Sequence, residues 1–237
     1  MSSELTTLLI TAASVGIIHT ILGPDHYVPF IALAKACKWS KIKTTTITLL
    51  CGVGHVLSSV VIGMIGLSLG LAITSIKNIE SIRSEIASWL LISFGLIYLV
   101  LGIKKIYRNK PHTHLHIHND GSLHEHSHTH EINHEHVHEE INTANITPWI
   151  LFIIFVFGPC EALIPIFMYT AATENLMNVT LVIFAFGIAT ILTMLIVILF
   201  SLSGLQRIKL GKYEKYSYAS AGFIILLCGV VIKVLGL

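Results

Sequence analysis

The chain has 237 residues, of which 54% are hydrophobic and only 12% charged, with a formal net charge of +2. Soluble domains carry roughly 25% charged residues, so this composition excludes an ordinary soluble enzyme, a disordered chain and a nucleic-acid-binding module. The anomaly is fourteen histidines in so apolar a sequence.

Hydropathy divides the chain into six apolar segments: Leu5–Leu22 continuing to Ala36, Thr44–Ala72, Ile86–Tyr107, Pro148–Ala171, Asn178–Leu202 and Tyr218–Leu237. A transmembrane helix needs about 20 apolar residues, and a helix satisfies its own backbone groups in lipid. The expected fold is therefore all-α, a polytopic membrane protein of six transmembrane helices. Met1-Ser-Ser-Glu4 lacks the positive flank of a cleaved signal, so the first segment is expected to be retained.

Charge orients these spans. Lys35, Lys38, Lys41 and Lys43 follow the first segment, Lys104, Lys105, Arg108 and Lys110 the third, and Arg207, Lys209, Lys212 and Lys215 the fifth. That is twelve of the fifteen basic residues; Lys77, Arg83 and Lys233 fall on the other side. The excess of Lys and Arg in cytoplasmic loops places the loops after segments one, three and five inside. Both termini are then outside.

The halves echo one another. Gly23-Pro24-Asp25-His26-Tyr27-Val28-Pro29 in segment one parallels Gly158-Pro159-Cys160-Glu161-Ala162-Leu163-Ile164-Pro165 in segment four. Gly95 and Gly102 in segment three parallel Gly222 and Gly229 in segment six, and Gly54 parallels Gly187. Three crossings reverse the chain, so the expected arrangement is an inverted 3+3 repeat: residues 1–107, a histidine-rich loop 108–147, and residues 148–237. Proline lacks an N–H and displaces the carbonyl four residues back. Helices 1 and 4 should thus be broken, with Gly23, Pro24, Pro29, Gly158, Pro159 and Pro165 marking the breaks. Aligned on Pro29 and Pro165, Asp25 and Glu161 are equivalent, and they read as the only carboxylates within the spans. Transporters often build midplane ion sites from such discontinuous helices, and an ionisable residue there is costly enough to imply function.

His19, His26 and His55 are the intramembrane histidines. With Asp25, Glu161 and Cys160 they offer imidazole, carboxylate and thiolate donors, a set suited to nickel, zinc, copper or iron. Cys37, Cys51 and Cys228 read as packing or loop residues, and the four cysteines show no CxxC spacing. The other eleven histidines, His112, His114, His116, His118, His124, His126, His128, His130, His134, His136 and His138, crowd the third loop with Glu125, Glu131, Glu135, Glu139 and Glu140. This tract is expected to be flexible and to capture metal weakly at many sites, on the cytoplasmic side. Gly63–Gly70 lacks the lysine of a P-loop, so no ATP site is expected.

His19, Asp25-His26 and Gly54-His55 with Ser58-Ser59 resemble motifs of the nickel/cobalt transporter superfamily, especially its short UreH-type permeases and histidine-loop efflux proteins. The likeness covers the whole chain in topology and about fifteen residues in motif. The larger nickel permeases carry HxxxDxDH; here six residues separate His19 from His26, and Gly23 stands at the first acid. The resemblance implies that His19, Asp25, His26 and His55 lie on a metal path, with Ni2+ or Co2+, or else Zn2+, as cargo. It implies a transporter rather than an enzyme, without a permanent cofactor, in a prokaryotic plasma membrane. Efflux is expected, because the tract is cytoplasmic. The bilayer and metal ions are the expected partners, nucleic acid is not, and a homo-oligomer is compatible with such a chain.

Two other readings remain. Gly158-Pro159-Cys160 resembles the proline-cysteine break of CcdA-type thiol–disulfide electron carriers, which need a cysteine in each broken helix; here the first break has Asp25. A sulfite or organic-anion exporter of the TauE/SafE type would need cationic groups within the membrane, and no Lys or Arg is read there.

Overall fold

The computed structural model describes residues 3–108, 112–117, 123–128, 143–205 and 211–235. Its body is helical: α1 Ser3–Leu22, α2 Val28–Ala36, α3 Lys41–Ser68, α4 Ile73–Arg108, α5 Thr143–Phe157, α6 Leu163–Thr173, α7 Leu176–Leu205 and α8 Ser217–Leu235. Among the described residues five helical stretches are long and apolar enough to cross a membrane: Ser3–Leu22, Lys41–Ser68, Ile73–Tyr107, Leu176–Leu205 and Tyr213–Leu235. Large side chains such as Leu57, Ile97, Ile196 and Phe200 face outward on them, as a lipid-facing surface requires. The chain is a multi-pass membrane protein.

Two pairs of shorter helices flank the Gly-Pro sequences. α1 stops at Leu22, a 3-10 turn spans Pro24–His26, and α2 starts at Val28. Likewise α5 stops at Phe157 and α6 starts at Leu163. Pro29 and Pro165 sit in the first turns of α2 and α6, where a missing N–H costs nothing. The helices therefore end at the glycines, ahead of the second prolines.

α4 departs most from the hydropathy reading. It begins at Ile73 rather than Ile86 and runs 36 residues. Its first turns carry Lys77, Glu80, Arg83 and Glu85, which made them read as an external loop. Glu80 and Arg83 instead form an i,i+3 pair, with the Glu80 side chain wholly buried and that of Arg83 nearly so. Asp25 and Glu161 are thus not the only carboxylates within the helical body, and Arg83 is a cation inside it. Mutual neutralisation and hydrogen bonding make such burial tolerable. α3 ends at a left-handed Gly70 (φ +64°), with Leu71 N–H bonded to the Gly66 carbonyl, the usual way to turn a helix end back.

Small residues set the interhelical register. α4 and α8 pack so closely that a Cβ on Gly95 would lie 2.4 Å from the Leu226 nitrogen, and one on Gly222 would lie 2.2 Å from the Leu99 nitrogen. Gly102 meets Ala219 and Gly229 meets Ile92 in the same way. The helices run antiparallel, and each contact maps onto another when every residue is exchanged with the one 127 positions away. α3 and α7 behave similarly: Gly52 meets Ile191 and Gly187 meets Val56, contacts exchanged by a shift of 135. The same shift relates Gly23-Pro24 to Gly158-Pro159. It pairs Gly187 with Gly52 rather than Gly54, and Glu161 with His26 rather than Asp25.

In the histidine tract, β1 His112–Ile117 pairs antiparallel with β2 Leu123–His128. The tract was expected to be flexible; within it, the HxH alternation has the period of a strand. The register opposes His112 to His128, His114 to His126 and His116 to His124. His118, His130, His134, His136 and His138, and with them Lys110, Arg207 and Lys209, lie outside the described residues.

Candidate metal centre

The first break delivers two histidines. His19 lies in the last turn of α1, and His26 ends the short turn that follows Gly23. His55 comes from the middle of α3, where Gly52 lets α7 approach and Gly54 lies against Phe152 and Val156 of α5. The three rings converge, with centroids 4.7 Å apart for His19–His26, 5.0 Å for His26–His55 and 6.5 Å for His19–His55. One nitrogen of each ring lies within 4.8 Å of the other two. His26 and His55 are 2% and 1% exposed.

Hydrogen bonds hold one nitrogen of two of the rings. The Nδ1–H of His26 donates to Asp25 Oδ1 at 3.0 Å and to the Gly23 carbonyl at 3.2 Å. The Nδ1–H of His55 donates to the Phe155 carbonyl at 3.3 Å. Those partners only accept, so each Nδ1 carries a proton, and in the neutral imidazole each Nε2 then keeps a free lone pair. Both Nε2 atoms are buried without any hydrogen-bond partner. A buried polar atom left so costs about 1–3 kcal/mol. Metal-binding histidines are commonly held by a carboxylate or carbonyl on the other nitrogen, the arrangement seen here.

The cluster opens into a cavity of about 330 Å³, lined among others by Asp25, Ser84, Ser88, Leu91 and Glu161. Asp25 is a third exposed and serves His26. Glu161, expected as a ligand, is exposed on the cavity wall and is not in the three-histidine group. Cys160 is fully buried; its Sγ lies 3.9 Å from His19 Nε2, and its backbone N–H donates to Ser59 Oγ at 3.1 Å. All four cysteines are free. Cys51 and Cys228 are buried in the main apolar core, and Cys37 faces the Tyr98 hydroxyl at 3.9 Å. None of the three sits at a helix break.

Two neighbours of the site were misread from sequence. Glu80 and Arg83 pack behind the second break, where Arg83 bonds the Val156 and Gly158 carbonyls. Their one signal was the i,i+3 spacing of opposite charges. Arg83 is not among the residues that line the cavity.

No curated protein and no solved structure matches the chain. A family does, the transmembrane region of cytochrome c biogenesis proteins, over residues 29–231. The match takes in α3 to α7 and most of α2 and α8, while His19, Asp25 and His26 precede it. With most of its length matched, the chain belongs to the family of cytochrome c biogenesis protein transmembrane regions.

Proposed function

We propose that this protein carries a divalent transition-metal ion, nickel or cobalt first among them, across a prokaryotic plasma membrane. One observation carries the reading: three histidine nitrogens lie within 4.8 Å of one another, and two of the rings keep buried, unpartnered Nε2 atoms. Borderline divalent ions take imidazole nitrogen readily. His19, His26 and His55 are the ligands, and Asp25 orients His26 and offsets the cargo's charge. Glu161 draws cations to the cavity mouth. The exchange of contacts between α4 and α8, and between α3 and α7, supports an inverted repeat of residues 1–107 and 148–237 around this site. The tract at 108–147 gathers cytoplasmic metal, which favours efflux. Neutral imidazole binds metal best, so a proton gradient can drive release by protonating the ligands.

The deciding measurement is flux of nickel, cobalt, zinc and manganese in proteoliposomes of known orientation. Saturable flux of nickel or cobalt, lost in His26→Ala and His55→Ala, supports the reading; an absence of flux for every metal removes it.

A second reading is a CcdA-like thiol–disulfide electron carrier. The family match and the placement of Cys160 at the second break favour it. Its difficulty is the missing partner thiol, since Gly23-Pro24 is followed by Asp25 where Gly158-Pro159 is followed by Cys160. A mixed disulfide between Cys160 and a thioredoxin-like protein would establish this alternative.

A further inference from the structure

α5 ends at Phe157, so its last carbonyls have no N–H four residues on. Their partners come from elsewhere. The Phe155 carbonyl accepts from Gly158 N–H at 3.1 Å and from His55 Nδ1–H at 3.3 Å. The carbonyls of Val156 and Gly158 both accept from Arg83 Nη2, at 2.8 and 3.2 Å. The same nitrogen donates to Ser58 Oγ at 2.8 Å, and Ser58 Oγ in turn donates to the His55 carbonyl at 2.8 Å. The other terminal nitrogen of Arg83 reaches Glu80 Oε1 at 2.5 Å and Ser59 Oγ at 3.4 Å. Ser59 Oγ also accepts the Cys160 N–H and donates to Glu80 Oε2 at 3.5 Å.

Arg83 therefore reaches His55 by two routes. Through Ser58 it is tied to the His55 backbone, and through the end of α5 to the carbonyl that holds the His55 ring. We propose that Arg83 is a positioning residue: its Nη2 holds the end of α5 and Ser58 together while Nη1 is anchored on Glu80 and Ser59, so that His55 keeps its proton on Nδ1 and turns Nε2 into the cluster. A fork with several donors fixed in one plane suits this task. Lysine has the charge but gathers its donors on one atom, and cannot meet Glu80 and Ser59 on one side and Ser58 and the end of α5 on the other at once. Glu80 balances the buried guanidinium.

The proposal builds on the metal reading for one of its two measurements. The first is independent of metal: ring 15N shifts of His55 in the metal-free, lipid-reconstituted protein, assigned by the signal that disappears in His55→Asn. Wild type should show one tautomer with Nδ1 protonated; Arg83→Lys and Arg83→Gln should show mixed tautomers. The second is nickel affinity by titration, expected to fall 10–100-fold in Arg83→Lys, the range usual for residues that orient a ligand. Should the Arg83 variants fail to fold, Ser58→Ala cuts only one route and should shift both readouts the same way by less. An unchanged tautomer and unchanged affinity in Arg83→Lys, or in Ser58→Ala where only that variant folds, overturns the proposal. If wild type binds no nickel, the metal reading falls, while the tautomer comparison still decides the role of Arg83.

Discussion

Cys160 Sγ lies 3.9 Å from His19 Nε2, so the thiol of the second break faces the imidazole that ends the first broken helix. This contact joins the residues on which the two functional readings diverge. A metal carrier uses the imidazole and can spare the thiol. For a thiol–disulfide carrier the order is reversed.

His19→Ala, His26→Ala and His55→Ala should each reduce nickel or cobalt flux at least 100-fold, since ligand losses exceed those of orienting residues. Cys160→Ser should keep flux within a few-fold of wild type. Proteoliposome flux at matched protein density checks both. An inactive Cys160→Ser beside three active histidine variants would favour electron transfer.

Asp25→Asn should weaken metal binding about 10–100-fold without abolishing insertion. The amide keeps the size of the carboxylate, so a loss reports charge and the bond to His26 Nδ1. Titration calorimetry on the purified protein measures it. An affinity equal to wild type would remove Asp25 from the site. Glu161→Gln, on the exposed cavity wall, should slow uptake into the cavity more than it weakens binding.

The tract should tune transport rather than create it. Replacing His112–His138 with a neutral linker should reduce flux at low metal about tenfold and leave flux at saturating metal unchanged. Complete loss of flux in the linker variant would put the tract in the permeation path.

Gly222→Ala should destabilise the protein by roughly 1–3 kcal/mol through overpacking, because the new Cβ would lie 2.2 Å from the Leu99 nitrogen, a backbone atom that cannot step aside. Gly204→Ala, with open space around it, should be close to neutral. Thermal unfolding in one detergent compares the two. Equal midpoints would mean that α4 and α8 do not pack through these glycines.

Topology can be read with fused reporters. Twelve of fifteen basic residues follow the odd-numbered apolar segments, so a reporter after Lys110 should be cytoplasmic and one after Leu237 external. A cytoplasmic reporter at Leu237 would sink the six-span reading and the case for efflux.

Much of this protein is local in its sequence. Hydropathy locates the apolar stretches of the long helices, because lipid solvates no backbone polar group, but it misses the charged first turns of α4. The Gly-Pro pairs mark where α1 and α5 stop, and the rarity of histidine in such spans singles out His19, His26 and His55. The paired glycines of α4 and α8 announce close packing, since only small residues let two backbones approach. Other features depend on partners distant in the chain. Glu80 and Arg83 read as loop residues because hydropathy prices each charge alone, whereas the fold sets them against each other, two serines and the open end of α5. Proline spacing equated Asp25 with Glu161, but the shift that exchanges the α3–α7 contacts matches the Gly-Pro pairs instead, and Glu161 lies on the cavity wall. Most of all, sequence names a histidine but not the nitrogen it offers. That choice rests on which acceptor meets Nδ1, and for His55 the acceptor is a carbonyl one hundred residues away at the end of another helix.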